Sequence, residues 1–156
     1  MPFVLDTSSF RVLQNYFPER FPSVWACIDA LVDQGEIVSV REVYHELESW
    51  SCPQWMRDWL ARNKRLFVIP EAAETDYVSA IFRVPHFRNM VGQKETLKGK
   101  PVADPFVVAC AMAREGCVVT EEKYKPNAAQ IPNVCKHFGV ECTDVEGMMA
   151  RQGWRF

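Results

Sequence analysis

The chain has 156 residues, of which 48% are hydrophobic and 24% are charged. This length fits one domain that can bury a core without disulfide support, and the composition excludes a disordered or low-complexity protein. With 18 Lys and Arg residues against 20 Asp and Glu residues, the formal net charge is −2. A strongly basic nucleic-acid coat protein is therefore excluded, and any contact with nucleic acid has to come from a local basic patch or from metal ions. We predict a single domain over residues 1–156.

The cysteines and the N-terminus indicate where such a protein would reside. None of the six cysteines is spaced as C-x2-C, which disfavours a zinc ribbon or a thioredoxin-type motif. Several lie inside apolar runs and are expected to be small buried side chains. The N-terminus reaches the charged Asp6 too early for a signal peptide, and no apolar window is long enough to cross a membrane. We expect a reduced, soluble, cytoplasmic protein without membrane contact.

The first third of the chain alternates between short apolar runs and helical patterns. The run at residues 3–5 predicts a strand buried on both faces, and the polar Asp6-Thr7-Ser8-Ser9 after it fits a helix cap. Further elements are expected as a helix over 21–33 closed by Gly35, a strand over 37–40 and a helix over 41–49.

The remaining elements continue this alternation. We predict a helix that begins in the tryptophan-rich stretch and runs to about residue 63, a strand at 66–69, and helical structure over 71–92 with a break near Pro85. A polar and basic loop is expected at 93–100, followed by an apolar helix over 104–115 that Gly116 stops. The last predicted elements are strands at 117–120 and 140–142 and a helix over 144–151. Short apolar strands that alternate with helices predict a three-layer α/β/α domain with a mostly parallel sheet.

Ligand sites in such sheets form beyond the carboxyl ends of the strands, and four acids occupy such positions. Asp6 follows the first strand, Glu46 lies on the helix after the second, Asp104 begins the most apolar helix and Glu122 follows the fourth strand. Each also has a purely structural explanation: a turn residue, a solvated helix position, a helix N-cap before Pro105, or an exposed acidic corner. Strand-end acids that recur along one chain are a stronger signal than any of them alone.

Clustered carboxylates repel one another, so one of them has to take up a proton or the group has to bind a cation. Oxygen ligands favour Mg²⁺ or Mn²⁺ over zinc, and His45, His86 and His137 are too scattered to indicate a zinc site. The acids therefore predict a site for Mg²⁺ or Mn²⁺, which would also let a polyanionic substrate approach.

The segments around these acids resemble the PIN domain, the metal-dependent ribonuclease fold of VapC-type toxins. The similar stretches are residues 3–8, 43–47, 103–109 and 118–122, and their order carries more weight than any one motif. Residues 131–135 with Gly153-Trp154 resemble, more closely, an uncharacterised bacterial branch of PIN-like proteins. The resemblance implies a twisted parallel sheet flanked by helices and Mg²⁺- or Mn²⁺-dependent hydrolysis of RNA phosphodiester bonds.

The resemblance also assigns roles to individual residues. It places Asp6, Glu46 and Asp104 at the metal-binding, catalytic acid positions. The fourth acid of the family is usually Asp, whereas this chain has Glu122, for which Glu121 can substitute. Ser8 falls at a small polar position that helps to orient the first acid, and Thr120 matches the polar residue that closes the fourth strand. The supporting residues are therefore Ser8, Thr120 and Glu121.

Basic residues flank the predicted site on both sides. They are candidates for contacts with the RNA backbone, although solubility explains them equally well; the set comprises Lys94, Lys98, Lys100, Lys123 and Lys125. The tryptophans at 50, 55 and 59 are expected in the core or at a partner interface rather than stacked on bases.

Three functions compete on this basis. The leading hypothesis is a metal-dependent endoribonuclease that acts as the toxin of a type II toxin–antitoxin pair, with RNA as substrate, an antitoxin protein as partner and a homodimer as one form of assembly. A phosphohydrolase with an aspartyl nucleophile ranks low because Ser8 stands where D-x-D chemistry requires an Asp. The third hypothesis is a PIN-like module that binds a protein without catalysis, and Glu in place of Asp at position 122 favours it.

Overall fold

The computed structural model describes residues 1–91 and 102–156, and its secondary structure alternates between strands and helices throughout. The first half contains β1 (Phe3–Leu5), α1 (Thr7–Leu13), α2 (Pro22–Asp33), β2 (Ile37–Val40), α3 (Arg41–Glu48), α4 (Gln54–Arg62) and β3 (Phe67–Val68). The second half contains α5 (Ala72–Arg83), α6 (Asp104–Arg114), β4 (Cys117–Val119), α7 (Ile131–Phe138), β5 (Glu141–Thr143) and α8 (Val145–Arg151), with 3-10 turns at Lys64–Leu66 and Pro85–Met90.

The five strands form one parallel sheet in the order β3-β2-β1-β4-β5. In the central strand, Val4 is aligned with Val38 of β2 on one side and with Val118 of β4 on the other. Every side chain of β1 and β4 is buried, as expected for strands covered on both faces. The sheet is flanked by helices, which confirms the predicted three-layer α/β/α class.

The position of β1 in the sheet determines where the polar residues that follow it lie. Parallel strands end at a common edge, and the chain leaves β1 and β4 at that edge with Asp6 and Thr120 respectively. The predicted strands agree with the structure to within about two residues at each end, which is ordinary for helix and strand boundaries.

Two helices were not predicted, and both are short. Helix α1 begins directly after β1, and the Asp6 carboxylate caps it by accepting a hydrogen bond from the Ser9 N–H at 2.8 Å. Helix α7 carries Pro132 in its first turn and ends at Gly139, whose φ is 69°. Proline near the start and glycine at the end are the signals that predict α7.

The end of α6 differs from the prediction that Gly116 stops it. The left-handed residue is Glu115, with φ 50°. Gly116 is needed for space instead, because a Cβ atom there would lie 2.8 Å from the carbonyl oxygen of Pro2. The chain thus turns from α6 into β4 directly against the residue that precedes β1.

The tryptophans pack inside the molecule, as expected for Trp50, Trp55 and Trp59. Trp59 is buried, and its indole N–H donates to Asp29 at 2.8 Å. Trp25 contacts the rings of both Trp55 and Trp59 edge-on, with centroids 5.3 Å apart in each pair. Trp50 and Trp55 also pack against the core, so these rings join α2 to α4.

Two further expectations concern the basic loop and membrane-spanning helices. The predicted basic loop at 93–100 lies outside the described residues. Among residues 1–91 and 102–156, no helix combines the length and the apolar character needed to cross a bilayer.

Candidate active site at the carboxyl edge of the sheet

Asp6 is the most buried of the four predicted acids, with 3% of its surface exposed. Hydroxyl groups surround its carboxylate: Ser8 Oγ donates to both oxygens at 2.8 Å, Ser9 Oγ to Oδ1 at 2.9 Å and Thr120 Oγ1 to Oδ2 at 2.6 Å. A carboxylate that directly follows three apolar residues would be unfavourable without partners. These bonds supply the partners and fix its orientation.

Thr120 connects Asp6 to the segment after β4. Its Oγ1 also accepts a hydrogen bond from the Glu122 N–H at 3.1 Å, and the Glu121 N–H donates to Ser8 Oγ at 2.9 Å. The chains that leave β1 and β4 are therefore held together by side-chain hydroxyls as well as by the sheet.

Glu46 lies on α3 and reaches the same edge. It accepts a hydrogen bond from the Thr7 hydroxyl on Oε2 and from the Ala103 N–H on Oε1, the latter at 3.1 Å. Because Ala103 immediately precedes Asp104, this bond places the Glu46 carboxylate beside the start of α6.

Asp104 is the first residue of α6 and does not act as its N-cap, contrary to the structural explanation that Asp before Pro suggests. Ala103 occupies the cap position, and no side chain caps the helix. Burial, followed by the negative charges of Glu122, Glu46 and Asp6, raises the pKa of Asp104 from 3.8 to about 8. The other three predicted acids therefore lie close enough to act on Asp104 as like charges.

The two acids after β4 have different surroundings. Burial raises the pKa of Glu122, the hydrogen bond that its Oε2 accepts from the Ile131 N–H at 2.8 Å lowers it, and the charges of Asp6 and Glu46 raise it. Glu121 instead accepts from the Val145 N–H at 2.9 Å, at the start of α8. Of the two, Glu122 is the acid whose charge acts on Asp104.

Within residues 1–91 and 102–156, no three His, Cys, Asp or Glu side chains are arranged to share one metal ion. Hydrogen bonds of the chain itself hold Asp6, Glu46 and Glu122, and in this part of the chain none of the four acids forms an ion pair. The donor set consists of carboxylate oxygens, the type that Mg²⁺ and Mn²⁺ prefer. The donor chemistry thus fits such an ion, whereas its binding would require these side chains to move closer together.

The structure describes two of the predicted basic residues, Lys123 and Lys125. Lys123 forms an ion pair with Asp144 at 3.0 Å, while Lys125 is exposed. Next to them the exposed ring of Tyr124 carries the Lys136 ammonium 4.6 Å from its centroid. Lys94, Lys98 and Lys100 lie outside the described residues.

A depression of about 250 Å³ adjoins the acids, and its lining includes Thr120, Glu122, Tyr124 and Cys142. The sequence analysis did not identify Thr7, Ser9 or the Ala103 N–H as contacts of the acids. The run of hydroxyl residues directly after Asp6 was the available signal for the first two, whereas the Ala103 contact depends on α3 and α6 meeting in space.

Comparison with known families gives one match. A family model with the description "Domain of unknown function (DUF4411)" matches residues 3–156. A search of curated proteins gives no match. The matched description names neither a nuclease nor a metal, so the PIN-domain resemblance stays a prediction.

Proposed function

Because the chain belongs to the DUF4411 family, whose description assigns no activity, we propose a function from the site: a Mg²⁺- or Mn²⁺-dependent endoribonuclease. The observation that carries the proposal is the convergence of four acids from four separate segments: Thr120 bonds to Asp6 and to the Glu122 N–H, Glu46 bonds to the Ala103 N–H beside Asp104, and the other three acids act on the buried Asp104 as like charges. Burying repelling carboxylates costs free energy. Such a cost is typical of sites that bind a cation or act on a charged substrate.

In this proposal the four acids hold the cation, and the neighbouring hydroxyls position the acids. When bound, a Mg²⁺ or Mn²⁺ ion polarises a phosphodiester and activates an attacking water. Ser8 and Thr120 hold the Asp6 carboxylate in one orientation through bonds of 2.8 and 2.6 Å. Partners of this kind commonly contribute about 10- to 100-fold to metal affinity or activity.

The surroundings of the acids supply contacts for a polyanion. Tyr124 and Lys125 lie on the segment after Glu122, Tyr124 lines the depression, and Lys136 of α7 lies over the Tyr124 ring. Basic side chains bind phosphates without reading sequence, and exposed aromatic rings stack on unpaired bases. We therefore propose single-stranded RNA as the substrate class.

The test is RNA cleavage by the purified protein in EDTA, Mg²⁺ or Mn²⁺. We expect cleavage only with the metal ions and a loss of about 100-fold or more in Asp6→Asn, since metal ions supply several kcal/mol of transition-state stabilisation. Asp76→Asn is the matched control, because Asp76 is an exposed carboxylate on α5. Metal-dependent cleavage that survives Asp6→Asn would exclude this site.

An alternative function is a PIN-like module that binds a protein without catalysis. Glu122 favours it, because its carboxylate accepts a hydrogen bond from the Ile131 N–H at the start of α7 and so has a structural role. The two functions differ in a Mn²⁺ titration followed by thermal unfolding. A stabilisation that Asp104→Asn abolishes supports the nuclease, and folded protein with no response to Mn²⁺ supports the binding module.

Under either function we propose a protein partner. For a toxin this is an antitoxin, a segment of which would occupy the groove beside the acids. Co-expression with the small protein encoded next to this chain tests the proposal: a stable complex that suppresses RNA cleavage is expected, and independent purification of the two proteins would contradict it. Size-exclusion chromatography of the chain alone tests the homodimer.

A further inference from the structure

The hydroxyl groups in the first turn of α1 donate to two different acids. Ser8 Oγ and Ser9 Oγ donate to the Asp6 carboxylate at 2.8 and 2.9 Å. The Thr7 hydroxyl instead donates to Oε2 of Glu46 on α3, which lies 39 positions further along the chain. Successive residues of one helical turn therefore hold acids that come from two separate segments.

Each oxygen of the Glu46 carboxylate accepts one hydrogen bond. Besides the bond from Thr7 to Oε2, the Ala103 N–H donates to Oε1 at 3.1 Å, directly before Asp104. These two bonds place the carboxylate between the start of α1 and the start of α6. A carboxylate oxygen has about two acceptor positions, and the Glu46 side chain is partly exposed. Both oxygens therefore keep the capacity to bind a further group.

Thr7 is a well-fixed donor, whereas its acceptor belongs to a long side chain. Thr7 is the first residue of α1 and is 9% exposed. The turn that contains it is capped by Asp6, whose carboxylate accepts from the Ser9 N–H at 2.8 Å. A glutamate side chain has several rotatable bonds and loses much of its rotamer freedom when it is ordered. A hydroxyl on a fixed turn can therefore select one orientation of the Glu46 carboxylate.

We propose that Thr7 is a positioning residue for Glu46, whose carboxylate it holds beside Asp104 in the orientation that cation binding requires. Thr7 contacts neither the cation nor the RNA and acts only through Glu46. The inference rests on the proposed function, because the orientation of Glu46 has a chemical consequence only if the acids bind a cation.

Thr7→Val tests the inference, because valine has the shape of threonine without the hydroxyl. We expect the affinity for Mn²⁺, measured by titration calorimetry, to fall by about 10- to 100-fold. The kcat of RNA cleavage should fall with little change in KM, since Thr7 does not contact the RNA. Thr7→Ser keeps the donor and should restore both values. Thr75→Val is the matched control and should change neither, because the Thr75 hydroxyl is exposed on α5 and donates to the Glu71 carbonyl at 3.2 Å.

Amide hydrogen exchange in EDTA supplies a measurement that needs no metal. In Thr7→Val the Glu46 carboxylate loses one of its two bonds, so the Ala103 N–H should exchange faster than in the wild type. The Ser9 N–H, which bonds to Asp6, should keep its exchange rate. If Thr7→Val does not fold, Thr7→Ala against Thr7→Ser gives the same comparison, since these two variants differ only by the hydroxyl.

Two results would overturn the inference: wild-type affinity for Mn²⁺ in Thr7→Val, or an unchanged exchange rate of the Ala103 N–H. A lower Tm in EDTA with unchanged affinity for Mn²⁺ would show that Thr7 has only a structural role. Failure of the proposed function would show separately, as a wild-type protein that neither binds Mn²⁺ nor cleaves RNA.

Discussion

At the scale of single residues, the site depends on how a carboxylate is retained at the end of a buried strand. Asp6 accepts four hydrogen bonds from side chains and one from the backbone of Ser9. The environment of Asp104 is different, because the other acids act on it as like charges and no cation of the described residues pairs with it. Hydrogen bonds hold the carboxylate of Asp6 in place, whereas burial and like charges raise the pKa of Asp104.

The first prediction concerns the pH dependence of stability without metal. The folded pKa of Asp104 is about 8, against 3.8 for the ordinary carboxyl. Its contribution to stability is therefore fully present below pH 3.8 and is lost as the pH rises through 8. Asp104→Asn removes this loss, so the variant should be more stable than the wild type at pH 8 and above, and the difference should shrink as the pH falls.

Thermal unfolding in EDTA measures this difference. Each kcal/mol of stability that the substitution adds raises Tm by about 2–4 °C in a protein of this size. With Mn²⁺ added, the advantage of the variant should shrink, because a ligand at about 100 times its Kd stabilises the wild type by about 2.7 kcal/mol and the variant lacks one binding oxygen. Equal Tm values at pH 8 in EDTA would show that Asp104 experiences no such repulsion.

At the scale of elements, a second buried polar contact joins α5 to α6. Glu74 is 2% exposed and lies 3.7 Å from the Arg114 guanidinium. Burial raises the pKa of Glu74, and the Arg114 charge lowers it. Glu42 of α3 is also buried, and within the described residues one carboxylate oxygen of Glu42 and one of Glu74 lack a hydrogen-bond partner. Arg114 is thus the cation that compensates Glu74, whereas Glu42 pairs with Arg41 at 3.0 Å.

We predict that Arg114→Met destabilises the protein by about 3–5 kcal/mol, because it leaves the buried Glu74 carboxylate without its cation. Glu74→Gln should lower the free energy of unfolding by less than Arg114→Met does. The double variant should lower it by less than the sum of the two single losses. Since the pKa of Glu74 is raised, its charge forms only as the pH rises, so the loss in Arg114→Met should be larger at pH 8 than at pH 5. Urea unfolding at both pH values measures this, and additive losses would contradict the coupling.

At the scale of the whole molecule, the core joins elements far apart in sequence. The Phe10 side chain of α1 is fully buried, with its ring centroid 5.4 Å from that of Phe67 on β3 and 6.3 Å from that of Trp59 on α4. Helix α1 also begins at Asp6. The packing that stabilises the fold therefore also fixes the helix that carries Ser8 and Ser9.

We predict that Phe10→Ala destabilises the protein by about 3–5 kcal/mol, a large share of the 5–15 kcal/mol that is typical of a domain. Phe17→Ala is the matched control, because Phe17 is 51% exposed, and it should change stability by no more than about 0.5 kcal/mol. Denaturant unfolding of both variants tests this. Equal losses would mean that the ring of Phe10 does not support the core.

The sequence by itself determined the fold class, because periodic apolar runs specify which faces are buried before any long-range contact is known. It also marked the strand-end acids, since parallel strands place their carboxyl ends at one edge. It failed for α1 and α7, although Asp6 caps the start of the first and the left-handed Gly139 marks the end of the second.

Only the tertiary structure decided how the acids are held. The donors to Asp6 are Ser8 and Ser9, which follow β1 closely, and Thr120, which is 114 positions away. Glu46 accepts a hydrogen bond from the Ala103 N–H, 57 positions away. The different hydrogen-bond partners of Glu121 and Glu122 likewise follow from where α8 and α7 begin in space. Hydrogen bonds and charges act over a few ångströms, whereas sequence patterns report only on neighbours along the chain.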